Sequence, residues 1–302
     1  MFNEDLLQEF IFDCKMRKLS ERTIKGYYNS NLKMIRFIES EYGITETEKT
    51  HFQAIRGYFQ NMTEQKLSET YINRLIICAK VMFQYAVDEG YINSNPVLKI
   101  KHQKEPIILI ETFTNDEVKR LLRVFNGAKF LDIRNQLILA ILFDTGIRNS
   151  ELCNLKMDDL RDTCIKIMGK GKKVRYVPIT PVVNKYLIRY KRVRDVYCKG
   201  KPTYETEYLL LSQKGRKLTV EALEHILRVA GEKANVRPNI RCSPHTCRHF
   251  FAQAQLKNGC DLYTLSKLLG HSKVDTTRRY LQSMHDVDII EMGGKTSPLS
   301  NL

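Results

Sequence analysis

The run Ser243-Pro244-His245-Thr246-Cys247-Arg248-His249, followed by Leu268-Leu269-Gly270-His271 and Thr276-Thr277-Arg278-Arg279-Tyr280, decides how this chain is read. Pro244 opens a helix well, because its missing N–H would have no partner in the first turn anyway. Phe250, Ala254 and Leu256 suit the buried face of that helix. His245 and Arg248 are three residues apart and stand on the same side, one turn from each other. Gly270 closes a second helix, which aims His271 into a cleft. Asp275-Thr276-Thr277 supplies helix-capping residues just ahead of Tyr280. Arginine binds phosphoryl oxygens as a planar fork, and histidine moves protons near neutral pH. A tyrosine hydroxyl becomes a nucleophile once a base or cationic surroundings favour its phenolate. The set points to phosphate chemistry.

Two stretches further upstream complete the pattern. They are Thr145-Gly146-Ile147-Arg148-Asn149-Ser150-Glu151-Leu152 and the run from Met168 to Pro178, Met-Gly-Lys-Gly-Lys-Lys-Val-Arg-Tyr-Val-Pro. In order, these boxes resemble those of the tyrosine recombinases, the phage-integrase and Xer-type family. The resemblance covers nearly the whole chain. Each box alone is a weak signal, and the ordered set is a specific one.

The resemblance implies a mainly α fold with a small β-sheet: an N-terminal four-helix core-binding domain and an α+β catalytic domain. It implies that Tyr280 attacks a scissile DNA phosphate, forming a 3′-phosphotyrosyl bond and releasing a 5′-hydroxyl. Arg148 and Arg248 would hold the non-bridging oxygens as charge grows on them. His245 and His271 would support those contacts and aid proton movement. Counting back from Pro178 matches Lys170 to the family's general acid, with Lys172 as the competing choice. Lys172, Lys173 and Arg175 are then expected on the DNA backbone. Neither ATP nor a metal is implied as a cofactor, because the covalent link conserves the phosphodiester's energy. The implied partner is double-stranded DNA with specific sites, held by four protomers on two sites.

Composition agrees. A chain of 302 residues, 43% hydrophobic, is long enough for two cores. No apolar run reaches membrane-spanning length, and Met1 to Lys15 lacks the basic-then-apolar form of a signal peptide. The eight cysteines include no Cys-x-x-Cys pair, which reads as reduced thiols in a cytoplasmic, nucleoid-associated protein. The net charge is +15 and unevenly spread: residues 1–105 carry 15 Lys and Arg against 14 Asp and Glu, the remainder 34 against 20. Positive charge gathered on one domain is the footprint of a polyanion partner.

Residues 1–95 read as four helices. Leu6, Leu7, Phe10, Ile11 and Cys14 mark the first. Ile24, Tyr28, Leu32, Ile35 and Ile38 mark the second, between a Ser20 cap and Gly43. Phe52, Ile55, Phe59 and Met62 mark the third, and Ile72, Leu75, Ile76, Ala79, Phe83 and Val87 the fourth. Arg22, Lys25, Lys33, Arg74 and Lys80 on the solvent side suit DNA phosphates, or equally a plain solvated face. Residues 96–110 lack a helical period and read as a linker. The catalytic domain spans 111–285, opening with a capping box at Thr114 to Glu117. Residues 286–302, with Val287, Ile289, Ile290 and Met292, read as a segment that docks on a neighbouring protomer.

Cys164 to Met168 and Val174 to Pro178 alternate as strands around a Gly-Lys-Gly-Lys turn. That turn lacks the Gly-Lys-Ser/Thr ending of a nucleotide-binding loop. Tyr208 to Leu211 reads as an apolar strand, and Pro181 to Val196 as a helix whose Lys185, Arg189, Lys191, Arg192 and Arg194 form a phosphate-tracking or solvated face. Cys242, His245, Cys247 and His249 raise the question of a metal site, but zinc ligands come at wider spacing and Cys247 points away from the two histidines. His249 reads as a structural hydrogen-bonding residue. Two rivals stay open: a type IB topoisomerase that relaxes DNA without pairing sites, and a DNA-binding protein that never cleaves.

Overall fold

The computed structural model describes residues 1–106, 109–169, 173–283, 289–290 and 293–294. It divides into two compact units, Met1–Ile107 and Ile108–Leu302. Among the described residues, no helix is long and apolar enough to cross a membrane.

The first unit is built from α1 (Asn3–Met16), α2 (Glu21–Tyr42), α3 (Phe52–Glu64) and α4 (Glu69–Asp88). Ser20 caps α2 by accepting the Thr23 N–H at 3.2 Å, and Gly43 ends it in the left-handed conformation, φ 65°. The apolar positions at helical spacing meet in one core: Leu6, Phe10, Ile35, Ile38, Ile55, Ile72, Ile76 and Phe83 are all buried. Most of the expected linker belongs to this unit. Val97 and Ile100 are buried in its core. Asn73 on α4 then clasps the backbone of Gln103, donating to its carbonyl at 2.9 Å and accepting its N–H at 2.7 Å.

The second unit is organised on α6 (Phe130–Thr145), a helix buried on nearly all sides, with α8 (Pro181–Cys198) and α10 (Pro244–Lys257) packed against it. Ahead of it, α5 (Asn115–Arg123) starts with the capping box: Thr114 Oγ1 accepts the Glu117 N–H and Glu117 accepts the Thr114 N–H. A short helix, α7 (Asn149–Cys153), follows α6 directly. The strands β1 (Cys164–Met168) and β2 (Val174–Pro178) form a two-stranded antiparallel sheet, with Ile165 opposite Val177 and Ile167 opposite Arg175. Ile165, Ile167 and Val177 face the core. Then come α9 (Val220–Lys233), α11 (Leu262–Leu269) and α12 (Asp275–Arg278).

The expected strand at Tyr208 to Leu211 is not one. Leu209, Leu210 and Leu211 are fully buried, but only isolated bridges join this segment to Lys156 and Lys217. Side chains take three of its four carbonyls: Tyr190 Oη donates to Leu209 O at 2.9 Å, Arg194 to Tyr208 O at 2.8 Å, and Arg134 to Leu211 O at 2.8 Å, while Leu210 O accepts the Leu218 N–H at 3.1 Å. Arg194 is therefore buried inside the unit and is no part of a DNA-facing helix surface, whereas Lys185, Arg189 and Arg192 are exposed.

Candidate active site

Arg148 is the N-cap residue of α7, two residues beyond the break made by Gly146. Gly146 sits at φ 57°, and a Cβ there would come within 2.4 Å of Phe251. Glycine is required twice over, by backbone conformation and by space. The Arg148 guanidinium donates to Glu151 Oε1 at 3.0 Å and to Gly270 O at 3.1 Å. Glu151 is buried and also accepts two bonds from Arg175 on β2, at 2.8 and 2.7 Å. Burial pushes the Glu151 carboxyl up, but the hydrogen bonds and charge of Arg175, then Arg148, outweigh this and hold it below the usual range.

Arg175 was expected on the DNA backbone. Its side chain is instead largely buried, bidentate to Glu151 and bonded through Nε to Leu268 O at 2.8 Å. It clamps the hairpin to the carboxylate and to the end of α11. Gly169, at the base of the hairpin turn, lies against the same pair: its Cβ would stand 3.8 Å from both Glu151 Oε1 and Arg175 Nη1. Lys170 and Lys172 lie outside the described residues; Lys173 is exposed beside them.

Ser243 caps α10 by accepting the Thr246 N–H at 3.2 Å, and Pro244 occupies the first turn. His245 and His249 are therefore one turn apart, with ring centroids 4.1 Å apart and edge-on. Arg248 points inward and is only 4% exposed. It donates to Gly146 O and Leu269 O, both at 2.7 Å, so it ties the end of α6 to the end of α11. Burial, then the positive charge of Arg148, lowers it to about 10, which leaves it charged at neutral pH.

Gly270 ends α11 at φ 67° and delivers His271 to Arg248, whose Nη2 lies 2.9 Å from Nε2 of the ring. A guanidinium only donates, so Nε2 accepts and Nδ1 carries the hydrogen. Nδ1 then donates to Thr277 Oγ1 at 2.7 Å. Burial and the facing Arg248 and Arg148 lower His271 to about 4, so the ring is neutral. Thr277 on α12 is fully buried, which fixes the start of the segment bearing Tyr280.

Tyr280 packs among Phe251, Ala252, Leu256, Leu265 and Leu269 and is 4% exposed. Its hydroxyl lies 3.3 Å from His249 Nδ1. Burial raises the phenol above its ordinary value, with Arg248 opposing. Arg148, His245, Arg248, His249, His271, Arg279 and Tyr280 together line one cavity of about 380 Å³. Five residues singled out for catalysis in the sequence are thus brought to one cavity, joined by His249, whose sequence reading is structural, and by Arg279. Among the described residues, no three His, Cys, Asp or Glu side chains converge as metal ligands. In the first unit Arg22, Lys25 and Arg74 are exposed and Lys80 is half-buried.

A cationic cavity with a buried phenol on its wall, carried by a helical scaffold, defines a protein for handling phosphodiesters. Comparisons with known proteins sharpen that class. Residues 111–286 match the phage integrase family, and residues 7–90 match the N-terminal SAM-like domain of phage integrases. The chain is 30% identical to tyrosine recombinase XerC of Thermodesulfovibrio yellowstonii, covering 97% of this chain and 96% of that one. It is also 30% identical to tyrosine recombinase XerD of Listeria monocytogenes, covering 91% and 93%. The structure resembles XerH recombinase bound to palindromic difH DNA after cleavage, with TM-score 0.74, 22% identity, and 94% and 82% coverage. It also resembles a lambda integrase tetramer on a Holliday junction, with TM-score 0.70, 16% identity, and 93% and 77% coverage. The chain belongs to the phage integrase family, the tyrosine recombinases, enzymes that cut and rejoin DNA strands.

Proposed function

We propose that this protein performs site-specific DNA recombination with Tyr280 as nucleophile, through a covalent 3′-phosphotyrosyl intermediate. One observation carries the reading: Arg148, His245, Arg248, His271 and Tyr280 line a single cavity. In it Arg148 and Arg248 bind the non-bridging oxygens of the scissile phosphate, where charge develops. Glu151 and the carbonyls of Gly146, Leu269 and Gly270 hold those two guanidinium groups in place beforehand. His271 acts through Arg248 and Thr277. Lys170 is the acid that protonates the leaving 5′-oxygen, an assignment supported by its count from Pro178 in the hairpin. The excess charge beyond residue 105 supports a DNA partner.

Residues 1–95 form the core-binding domain, with Arg22, Lys25 and Arg74 toward phosphates. Residues 286–302 dock on a neighbouring protomer, supported by the exposed Ile289 and Ile290. The active assembly is a tetramer on two sites. A suicide substrate nicked beside the cleavage point tests the reading. A recombinase traps the strand covalently and carries it to a second duplex. Relaxation without transfer would favour a type IB topoisomerase, and binding without an adduct a non-cleaving protein.

A further inference from the structure

Three imidazoles face the cavity, and their hydrogen bonds divide the proton chemistry among them. The bare nitrogen of His271 is occupied by Arg248, and its other nitrogen donates to Thr277. His245 stands exposed at the cavity mouth. His249 is the imidazole within hydrogen-bond distance of the Tyr280 hydroxyl, Nδ1 to Oη 3.3 Å. Arg248 also acts on that phenol but has no lone pair, so it cannot receive the phenolic hydrogen. The hydroxyl can donate to His249 in the tautomer whose Nδ1 is bare and whose Nε2 carries the hydrogen. Burial, then His245, Arg279 and Arg248 around it, lowers His249 to about 4, in keeping with a neutral ring. The edge-on packing against His245 fixes the ring's orientation on α10.

We infer that His249 is the general base for Tyr280, a catalytic residue and more than a structural one. The inference rests on Tyr280 being the nucleophile. As the Oη–P bond forms and the P–O5′ bond breaks, the Oη proton passes to His249 Nδ1. The electron pair of the broken bond leaves on the 5′-oxygen, which takes its proton from the general acid. On rejoining, the 5′-hydroxyl attacks phosphorus and gives its proton to the conjugate base of the general acid, the Oη–P bond breaks, and Nδ1 returns the proton to Oη. The phenol holds its proton far more tightly than this imidazole. Transfer is therefore completed only as the bond to phosphorus forms, with the incoming phosphate's charge strengthening the base. Arg279, exposed on the same cavity, favours the anionic substrate there.

The test uses the full chain on a nicked suicide substrate, with His249→Ala, His249→Gln and site-specific 3,5-difluorotyrosine at position 280. Gln keeps a hydrogen-bond acceptor but takes no proton. Both variants should form adduct roughly 10²–10³-fold more slowly, in the range of general-base loss, with DNA affinity unchanged. The more acidic fluorinated phenol should restore much of the rate, whereas sulfur at the 5′-bridging position should not. Full activity of His249→Gln would reduce His249 to positioning and overturn the inference. So would slow variants that fluorination fails to relieve, or relief seen in His245→Ala instead. Adduct persisting in Tyr280→Phe would defeat the reading of the nucleophile itself, a separate failure.

Discussion

Replacing Glu151 by glutamine removes a buried anion held between two guanidinium groups. Its Oε1 accepts from Arg148 at 3.0 Å and Arg175 at 2.8 Å; its Oε2 accepts from the Arg148 N–H at 2.9 Å and Arg175 at 2.7 Å. Glutamine turns one acceptor into a donor facing N–H groups, whichever way it flips. Breaking a buried pair by removing one partner costs about 3–5 kcal/mol. Most of that attaches to Arg175, whose side chain is 10% exposed; Arg148, at 38%, is better hydrated and contributes less. For a domain of this size that is roughly 6–20 °C in Tm. Arg148 loses its anchor as well, and a misplacement near 1 Å costs about 10²-fold in rate. Thermal melting and adduct formation on a suicide substrate read both effects, with DNA affinity steady because the change removes negative charge. A Tm within a degree of the parent at full cleavage rate would refute Glu151 as the organiser of the site.

The Lys170→Ala variant should cleave ordinary DNA slowly and recover when the 5′-bridging oxygen is sulfur. A thiol's pKa of about 8.5 makes it a good leaving group without an acid. Rescue of Lys172→Ala instead would move the acid to Lys172. Gly146→Ala should destabilise by roughly 1–3 kcal/mol from overpacking, since the new Cβ meets Phe251 at 2.4 Å, and should slow cleavage by shifting the carbonyl that holds Arg248. Wild-type melting and adduct rate would contradict that. In acid, stability should fall in two windows. His249 and His271, neutral in the fold at about 4, cost stability as pH drops from about 6.5, where they charge when unfolded. Burial raises the Glu117 carboxyl, but Arg237 and the Thr114 N–H prevail and hold it at about 2. Its depressed value contributes stability above pH 4.5 that is lost toward pH 2. Urea unfolding against pH should show Glu117→Gln without the lower window, and an unchanged profile would sink the assignment.

The residues that were legible in the sequence are those fixed by local rules. Ser243 and Pro244 orient a helix, so the spacing of His245 and Arg248 could be converted into a shared face. Gly146 and Gly270 stop helices, so Arg148 and His271 could be placed just beyond. Contacts between distant elements left no such trace. Arg175 lies 24 residues from Glu151, and nothing in an alternating strand distinguishes a clamp from a DNA contact. His249 was read as structural because its partner is 31 residues away, and Thr277 as a helix cap because its bond to His271 depends on the turn between α11 and α12. Val97 and Ile100 looked like linker because two apolar residues in a charged stretch make no period. Tyr208 to Leu211 looked like a strand because full burial and strand pairing produce the same apolar run; Arg134, Tyr190 and Arg194 supply the hydrogen bonds from afar.

The central claim is that Tyr280 forms the bond to DNA. It is tested by trapping the full chain on a nicked substrate carrying a label at its 3′-phosphate, digesting the adduct and sequencing the labelled peptide. The label should sit on Tyr280, and Tyr280→Phe should bind the same DNA with equal affinity and yield no adduct. Label on another residue, the exposed Tyr263 above all, or adduct surviving in Tyr280→Phe, would contradict the account.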